Sequence, residues 1–483
     1  MLVLATALFP VFSNAQSLDE ALGGFDSDTS SIKSSTPALS GESNPISADD
    51  SRADFSGSMV VSSSYNYLDH KSSDGTDWEG LSKLRTRLNL QYDHKWSDNW
   101  QSRISGYGFY DWAYDLRGRS HYTEDVLDDY EHEGDWQEVW VRGKLTDAVD
   151  MKLGRQVVNW GRADSLRVLD ILNPVDNREP GIADIEDLRL PVTMLKTDWF
   201  LNENWQTSLI AIPEVRFSKN PVYGNDFAVV ASPLFGGQTA VLNEEIPEDI
   251  SDSQYAMALT GTFSGWDISF HAAQLWRDTP YLHVNGVINP LRPDTIKKQL
   301  DFRHSDITML GTGANLVSGS WLYKTELAVL QNIDYTTMAT ANYPYIGKLT
   351  LPNQNTEKTR TDFLVGLEYF GFSDTALSLE LVNRHIDDFE QGMKPFFEKE
   401  DRMETAFRYT GNFQNDRLEL TALAIAFGER AQEGSMIRLQ AAYDIQDALV
   451  LTTGVVTYQY GDMPPFNRCD HNDRVFAEIK YSF

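Results

Sequence analysis

Apolar and polar side chains exchange places residue by residue in block after block of this chain. Leu84, Leu88, Leu90 and Tyr92 alternate with Arg85, Arg87, Asn89, Gln91 and Asp93. Tyr255, Met257, Leu259 and Phe263 alternate with Gln254, Thr260 and Thr262. The same holds for Phe363, Val365, Leu367 and Tyr369 against Asp362, Gly366 and Glu368, and for Met403, Thr405, Phe407 and Tyr409 against Arg402, Glu404 and Arg408. Period two puts one set on each face of a strand. A tilted strand of about 9–11 residues with one apolar face crosses a bilayer. Past the start of the chain no apolar run reaches the ~18 residues a membrane helix needs. The reading is therefore all-β: a closed antiparallel transmembrane β-barrel, closed because lipid cannot satisfy an open sheet edge.

Composition narrows the function. The 483 residues carry a formal charge of −30, which excludes nucleic acid as a partner, since phosphate binding needs a basic face. A single cysteine, Cys469, excludes an internal disulfide and a cysteine-rich metal site. Twelve Trp, 21 Tyr and 24 Phe are many for so polar a chain, and lipid-facing strand faces with interfacial belts account for them.

The two ends agree with this. Residues 1–15 (MLVLATALFPVFSNA) are uncharged, mostly apolar and end on small residues, the pattern of a secretory signal peptide. Residues 16–53, rich in Ser, Asp and Gly, read as a flexible periplasmic segment, and 54–483 as the barrel. At the other end Val475, Ala477, Ile479, Tyr481 and Phe483 alternate with polar neighbours and finish on a terminal Phe. That resembles the signal by which bacterial outer-membrane barrels are read by their assembly machinery. It implies that machinery, outer-membrane lipid and lipopolysaccharide as partners, and the bacterial outer membrane as the location.

Short turns are expected near 97–99, 146–148, 202–204, 264–265, 318–319, 371–373, 412–416 and 446–447. Longer polar stretches at 113–134, 161–188, 214–253, 277–305 and 331–359 read as loops on the opposite side. With a first strand near Phe55–Tyr67 and a last near Arg474–Phe483 the count is 18, with 16 the alternative. Trp96, Trp100, Trp199, Trp205, Trp266 and Trp321 fall beside the short turns, and Trp112, Trp160 and Trp276 near the other strand ends, as two interfacial girdles would require.

A barrel of this size encloses an aqueous lumen unless something fills it. The polar strand faces should line it, and Arg85, Arg87, Arg103, Arg142 and Lys144 form a candidate basic wall, offset by Asp93, Asp111 and Glu138. The wall suggests a path for anionic solutes, or else arginines that brace lumenal acids. The stretch 154–189 interleaves Arg155, Arg162, Arg167, Arg178 and Arg189 with Asp164, Asp170, Asp176, Asp184 and Asp187. It also carries Val168, Leu169, Ile171 and Leu172, which an exposed loop does not need. The expectation is a constriction loop (Arg155, Arg162, Arg167, Asp170, Asn173, Arg178) folding inward over 161–188, with a short helix at Ser165–Leu172. A second inward loop, 214–253, would bring Arg216 and Lys219 to it.

The run GRQVVNWGRADSLRVLDILNPVDNREPG (154–181), with EDLRLPV (186–192), KNPVYGNDF (219–227) and LDEALGGF (18–25), resembles a bacterial outer-membrane family, domain of unknown function 1302. Gly154, Arg155, Trp160, Gly161, Arg162, Asn173, Pro174, Arg178 and Pro180 carry the motif. The resemblance implies an outer-membrane barrel working beside a periplasmic or inner-membrane transport partner. It implies no substrate and no catalytic residue.

The acidic run His121–Asp135 packs seven carboxylates and reads as a solvated loop; a Ca²⁺ site is the alternative, but it lacks the glycine of an EF-hand loop. Cys469, Asp470 and His471 adjoin in sequence, which does not make a triad. No P-loop, GxSxG or HExxH motif calls for a cofactor, a metal or an enzyme. The function expected is an outer-membrane channel or transporter for small anionic or amphipathic solutes, narrowed or gated by the inward loop. A lipid-acting outer-membrane enzyme and a structural or adhesive surface barrel are the alternatives.

Overall fold

The computed structural model describes residues 52–72, 74–182, 188–228, 243–247, 249–286, 288, 299–343, 347–469 and 471–483. The signal peptide (1–15) and nearly all of the 16–53 segment expected from sequence lie outside them, as do Asp184, Asp187 and Asp470. The strands in chain order are β1 (Ala53–Asn66), β2 (Gly80–Ser97), β3 (Trp100–Asp111), β4 (His132–Thr146), β5 (Val149–Gln156), β6 (Val192–Phe200) and β7 (Trp205–Ile212). There follow β8 (Glu244–Glu245), β9 (Gln254–Phe263), β10 (Trp266–Trp276), β11 (Tyr281–Val284), β12 (Leu300–Arg303), β13 (Asp306–Ser318) and β14 (Trp321–Tyr343). The last are β15 (Gly347–Phe372), β16 (Thr375–Ile386), β17 (Asp401–Phe413), β18 (Leu418–Phe427), β19 (Gly434–Gln446), β20 (Leu449–Gln459) and β21 (Arg474–Ser482).

Eighteen of these form one antiparallel sheet, and β1 pairs with β21 from Ser58–Ser482 to Asn66–Arg474 to close it. The three short strands β8, β11 and β12 form a separate small sheet. Eight short turns join the barrel strands at one end, where the sequence put them, and the longer connections lie at the other. Among the described residues no helix is long and apolar enough to cross a membrane. The architecture is that of an outer-membrane β-barrel, and the strand alternation dictates its inside-out burial. Leu88, Leu90, Tyr92, Val475, Ile479 and Tyr481 are exposed on the outer wall, while Asp93, Asp267, Glu326, Asp362, Glu380, Arg384 and Glu404 are buried inside.

Tryptophan marks both ends. Trp96, Trp199, Trp266 and Trp321 are exposed at the turn end, and Trp112 and Trp136 at the loop end. Trp160 departs from the girdle expected of it. It is buried in the lumen, its ring 4.7 Å from that of His271. Of the segment expected as a loop at 331–359, residues 331–343 and 347–359 are instead strand: β14 and β15 run 23 and 26 residues and pair out to Tyr343–Gly347. Its Thr-rich, β-branched text suits a pleated surface as well as a loop.

β5 and β7, with 8 residues each, are the shortest strands of the barrel sheet. The chain between β5 and β6 turns into the barrel. The lumen it enters is not polar throughout, as the strand pattern had suggested. Leu275, Ile307, Met309, Val382, Leu423 and Ile425 face inward and share one buried cluster with Leu166, Leu169 and Leu172 of that connection.

Candidate functional site: the lumenal plug and the cavity beside it

The β5–β6 connection forms a plug fastened by two glutamates on the opposite wall. Glu326 of β14 accepts the amide N–H of Arg162, of Ala163 at 3.1 Å and of Leu169 at 3.0 Å. Glu380 of β16 accepts those of Asp164 at 2.7 Å, Ser165 at 3.0 Å and Leu166 at 3.0 Å. Such charge-assisted bonds are about twice as strong as neutral ones. The expected helix at Ser165–Leu172 does not form: the Leu169 N–H, which an α-helix would give to the Ser165 carbonyl, goes to Glu326, and the segment runs as bends. Leu166 and Leu169 are fully buried beside them, each worth ~2 kcal/mol by transfer.

The constriction residues named from sequence fall into three groups. Arg162 crosses to the wall, with Nη2 2.6 Å from Asp267 and Nη1 2.6 Å from Ser269 Oγ. Arg167, Asp170 and Asn173 hold the plug to itself. Arg167 lies 3.3 Å from Asp170 and donates to the Asn173 carbonyl at 2.9 Å. The Asn173 side chain accepts from the Val158 amide at 2.8 Å and donates to the Leu190 carbonyl at 2.9 Å, joining the plug's entry and exit. Burial pushes the Asp170 carboxyl up, but Arg189 at 3.0 Å and Arg167 overcome it and hold it below the usual range. Arg155, on β5, pairs at 3.5 Å with both Asp135 and Glu214, and Arg178 sits between Asp176 at 2.6 Å and Glu133 at 2.7 Å.

The second connection joins them through residues 214–228. Arg216 reaches Asp135 at 2.6 Å, Lys219 meets Glu133, and Asp226 pairs with Arg474 at 2.8 Å. This corrects the reading of 121–135 as a solvated loop. Its later carboxylates Glu131, Glu133 and Asp135 are spent on Arg119, on Arg178 and Lys219, and on Arg155 and Arg216. Residues Glu124–Tyr130 form a helix capped by Thr123.

The plug leaves one side of the lumen open. A cavity of 480 Å³ lies against β1–β3 and β19–β21 and extends toward the turn end, where Ser56, Gln91 and Ser482 border it. Lys83, Arg85, Arg87, Arg178, Arg438 and Lys480 line it, against Asp176, Glu179 and Glu478. The lining is thus net basic in a chain of charge −30. Several of these cations lie on rings: Arg85 is 4.1 Å from the Phe109 centroid, Arg87 3.8 Å from that of Tyr107 and Arg438 5.2 Å from that of Phe476.

Of the five wall residues expected from sequence, Arg85 and Arg87 border the cavity. Arg103 is tied to Asp93 at 2.8 Å and Glu138 at 3.0 Å, and Lys144 is exposed at the turn end. With the Gln101 amide oriented to accept, Arg142 Nε is 2.8 Å from its oxygen. Lys83, Glu179, Arg438 and Lys480 were not singled out from sequence, although strand alternation alone places Lys83, Arg438 and Lys480 on inward faces. Cys469 is buried.

Solved structures that align with this chain include three from Acinetobacter baumannii. OccAB1 aligns with a TM-score of 0.51 at 9% identity over 89% of this chain and 96% of that one. OccAB2 gives 0.48 at 10% over 89% and 98%, and OccAB3 0.46 at 11% over 89% and 99%. At 9% identity the likeness to OccAB1 is one of fold alone. No curated protein matches the sequence. The family model described as protein of unknown function (DUF1302) matches residues 65–483, and the chain belongs to that family.

Proposed function

We propose that this barrel passes small anionic or amphipathic solutes across the bacterial outer membrane, by way of the off-axis cavity beside the plug. The observation that carries the reading is the reversal of charge between chain and lining. Six basic and three acidic side chains border the cavity, while the whole chain is at −30. A basic lining in a narrow space with low-dielectric walls concentrates anions and repels cations. The rings under Arg85, Arg87 and Arg438 add apolar surface next to each cation, which suits a carboxylate carried on an organic body. The plug narrows the route, and its apolar core and its two glutamate clamps favour a fixed constriction over a flap. Passage of this kind needs no covalent step.

The test is ion selectivity in planar bilayers under a salt gradient. The wild type should prefer anions, and replacing Arg85 and Arg87 together by Ser should move the reversal potential toward cations. An unchanged reversal potential would count against the anion path.

A further inference from the structure

Beyond the 480 Å³ cavity, toward the loop end, lies a second and smaller one of 20 Å³, bordered by Trp78, Tyr114, Phe227 and Arg474 among others. Lys83, Tyr130, Arg178, Glu179 and Ile182 border both cavities and so form the septum between them. At its centre the Glu179 carboxylate is held by Lys83 Nζ through one oxygen and by Arg85 Nη2 at 3.0 Å through the other. Asp111 lies 3.4 Å from Arg85 Nε, and Arg178 turns its charge away to Asp176 and Glu133. A carboxylate gripped by a lysine and an arginine, at the closed end of a basic cavity, has the chemistry of the solute that the cavity suits.

We infer that Lys83 and Arg85 form a carboxylate-binding site of the conduit, occupied here by the chain's own Glu179, which a small organic carboxylate must displace in order to pass the septum. The inference rests on the anion-conduit reading and names the point where that conduit is shut. The backbone at the septum is pinned. The Tyr458 hydroxyl donates to the Pro180 carbonyl, and the Tyr130 hydroxyl donates to the Arg178 carbonyl at 3.2 Å. Exchange therefore proceeds by rotation of the Glu179 side chain, with the solute's apolar part against Tyr130 and Ile182. An internal competitor lowers apparent affinity by the fraction of time it leaves the site vacant.

Benzoate is the probe. The full-length barrel is placed in planar bilayers in potassium chloride, and the benzoate concentration that halves the chloride current is measured for wild type, Glu179→Gln, Glu179→Asp and Lys83→Met. Removing the internal carboxylate should lower that concentration about tenfold or more in Glu179→Gln. Glu179→Asp, charged but one methylene shorter, should fall between it and wild type. Lys83→Met should raise the concentration. A conducting wild type and Glu179→Gln with the same benzoate dependence would overturn the inference and leave the anion conduit standing. A wild type that conducts cations, or none of these ions, would overturn the conduit reading and this inference with it. If Glu179→Gln fails to fold, the Glu179→Asp and Lys83→Met shifts, opposite in sign, decide the matter.

Discussion

The carboxylate of Glu380 accepts the amide N–H of Asp164 at 2.7 Å, across 216 positions of sequence. Two more amides share that carboxylate, and three share Glu326. Glu380→Ala would leave three buried donors without an acceptor, at ~1–3 kcal/mol each. The plug, not the barrel, should bear the loss. The variant is expected to keep the heat-modifiable gel mobility of a folded barrel while its 157–182 segment becomes open to protease. Protection equal to wild type would show that the clamp does not hold the plug.

Arg162 and Asp267 make a buried pair at 2.6 Å. Arg162→Ala strands a buried carboxylate and should cost ~3–5 kcal/mol, whereas removing both charges with apolar residues of similar size should cost much less. Chemical unfolding of Arg162→Ala, of Asp267→Leu and of Arg162→Met with Asp267→Leu measures this. A double variant no more stable than Arg162→Ala would refute the account.

Gly313 gives the plug its room. A Cβ at this position would stand 3.0 Å from both Arg162 Nη1 and Leu169 Cδ1. Gly313→Val should therefore push the plug off the wall at a cost of ~1–3 kcal/mol and raise single-channel conductance. A conductance equal to wild type would mean that the plug absorbs the added methyls in place.

The septum should ignore mild acid. Burial raises the Glu179 carboxyl, but Arg85 and Lys83 more than reverse this and bring it to about 2. A carboxyl depressed in the folded state contributes fully above its unfolded value, near 4.5, and loses that contribution only as pH falls toward 2. Benzoate block should thus show no step assignable to Glu179 between pH 7 and 4, measured at constant benzoate anion. A step with midpoint near 4.5 that disappears in Glu179→Gln would contradict the pairing.

What the sequence disclosed followed from local period. Leu88 against Arg87, or Ile479 against Lys480, states which face meets lipid, and the turns at 264–265 and 446–447 state where each strand reverses. Closure and strand number come from counting such units. What stayed hidden was set by partners far apart in the chain. Nothing near Leu169 announces that Glu326 will take its amide, so a helical spacing of leucines read as a helix. Trp160 carries the same side chain as Trp112, yet one packs on His271 inside and the other faces out. Lys83 and Glu179 are 96 positions apart, and neither looked special until the fold brought them together.

The cavity wall includes Ser58 and Ser62 of β1 and Glu478 and Lys480 of β21, the strands whose pairing closes the sheet. The first and last strands of the barrel therefore form one bank of the cavity. The seam that closes the barrel is thus also a wall of the cavity, and a fault in the pairing of β1 with β21 would breach both at once.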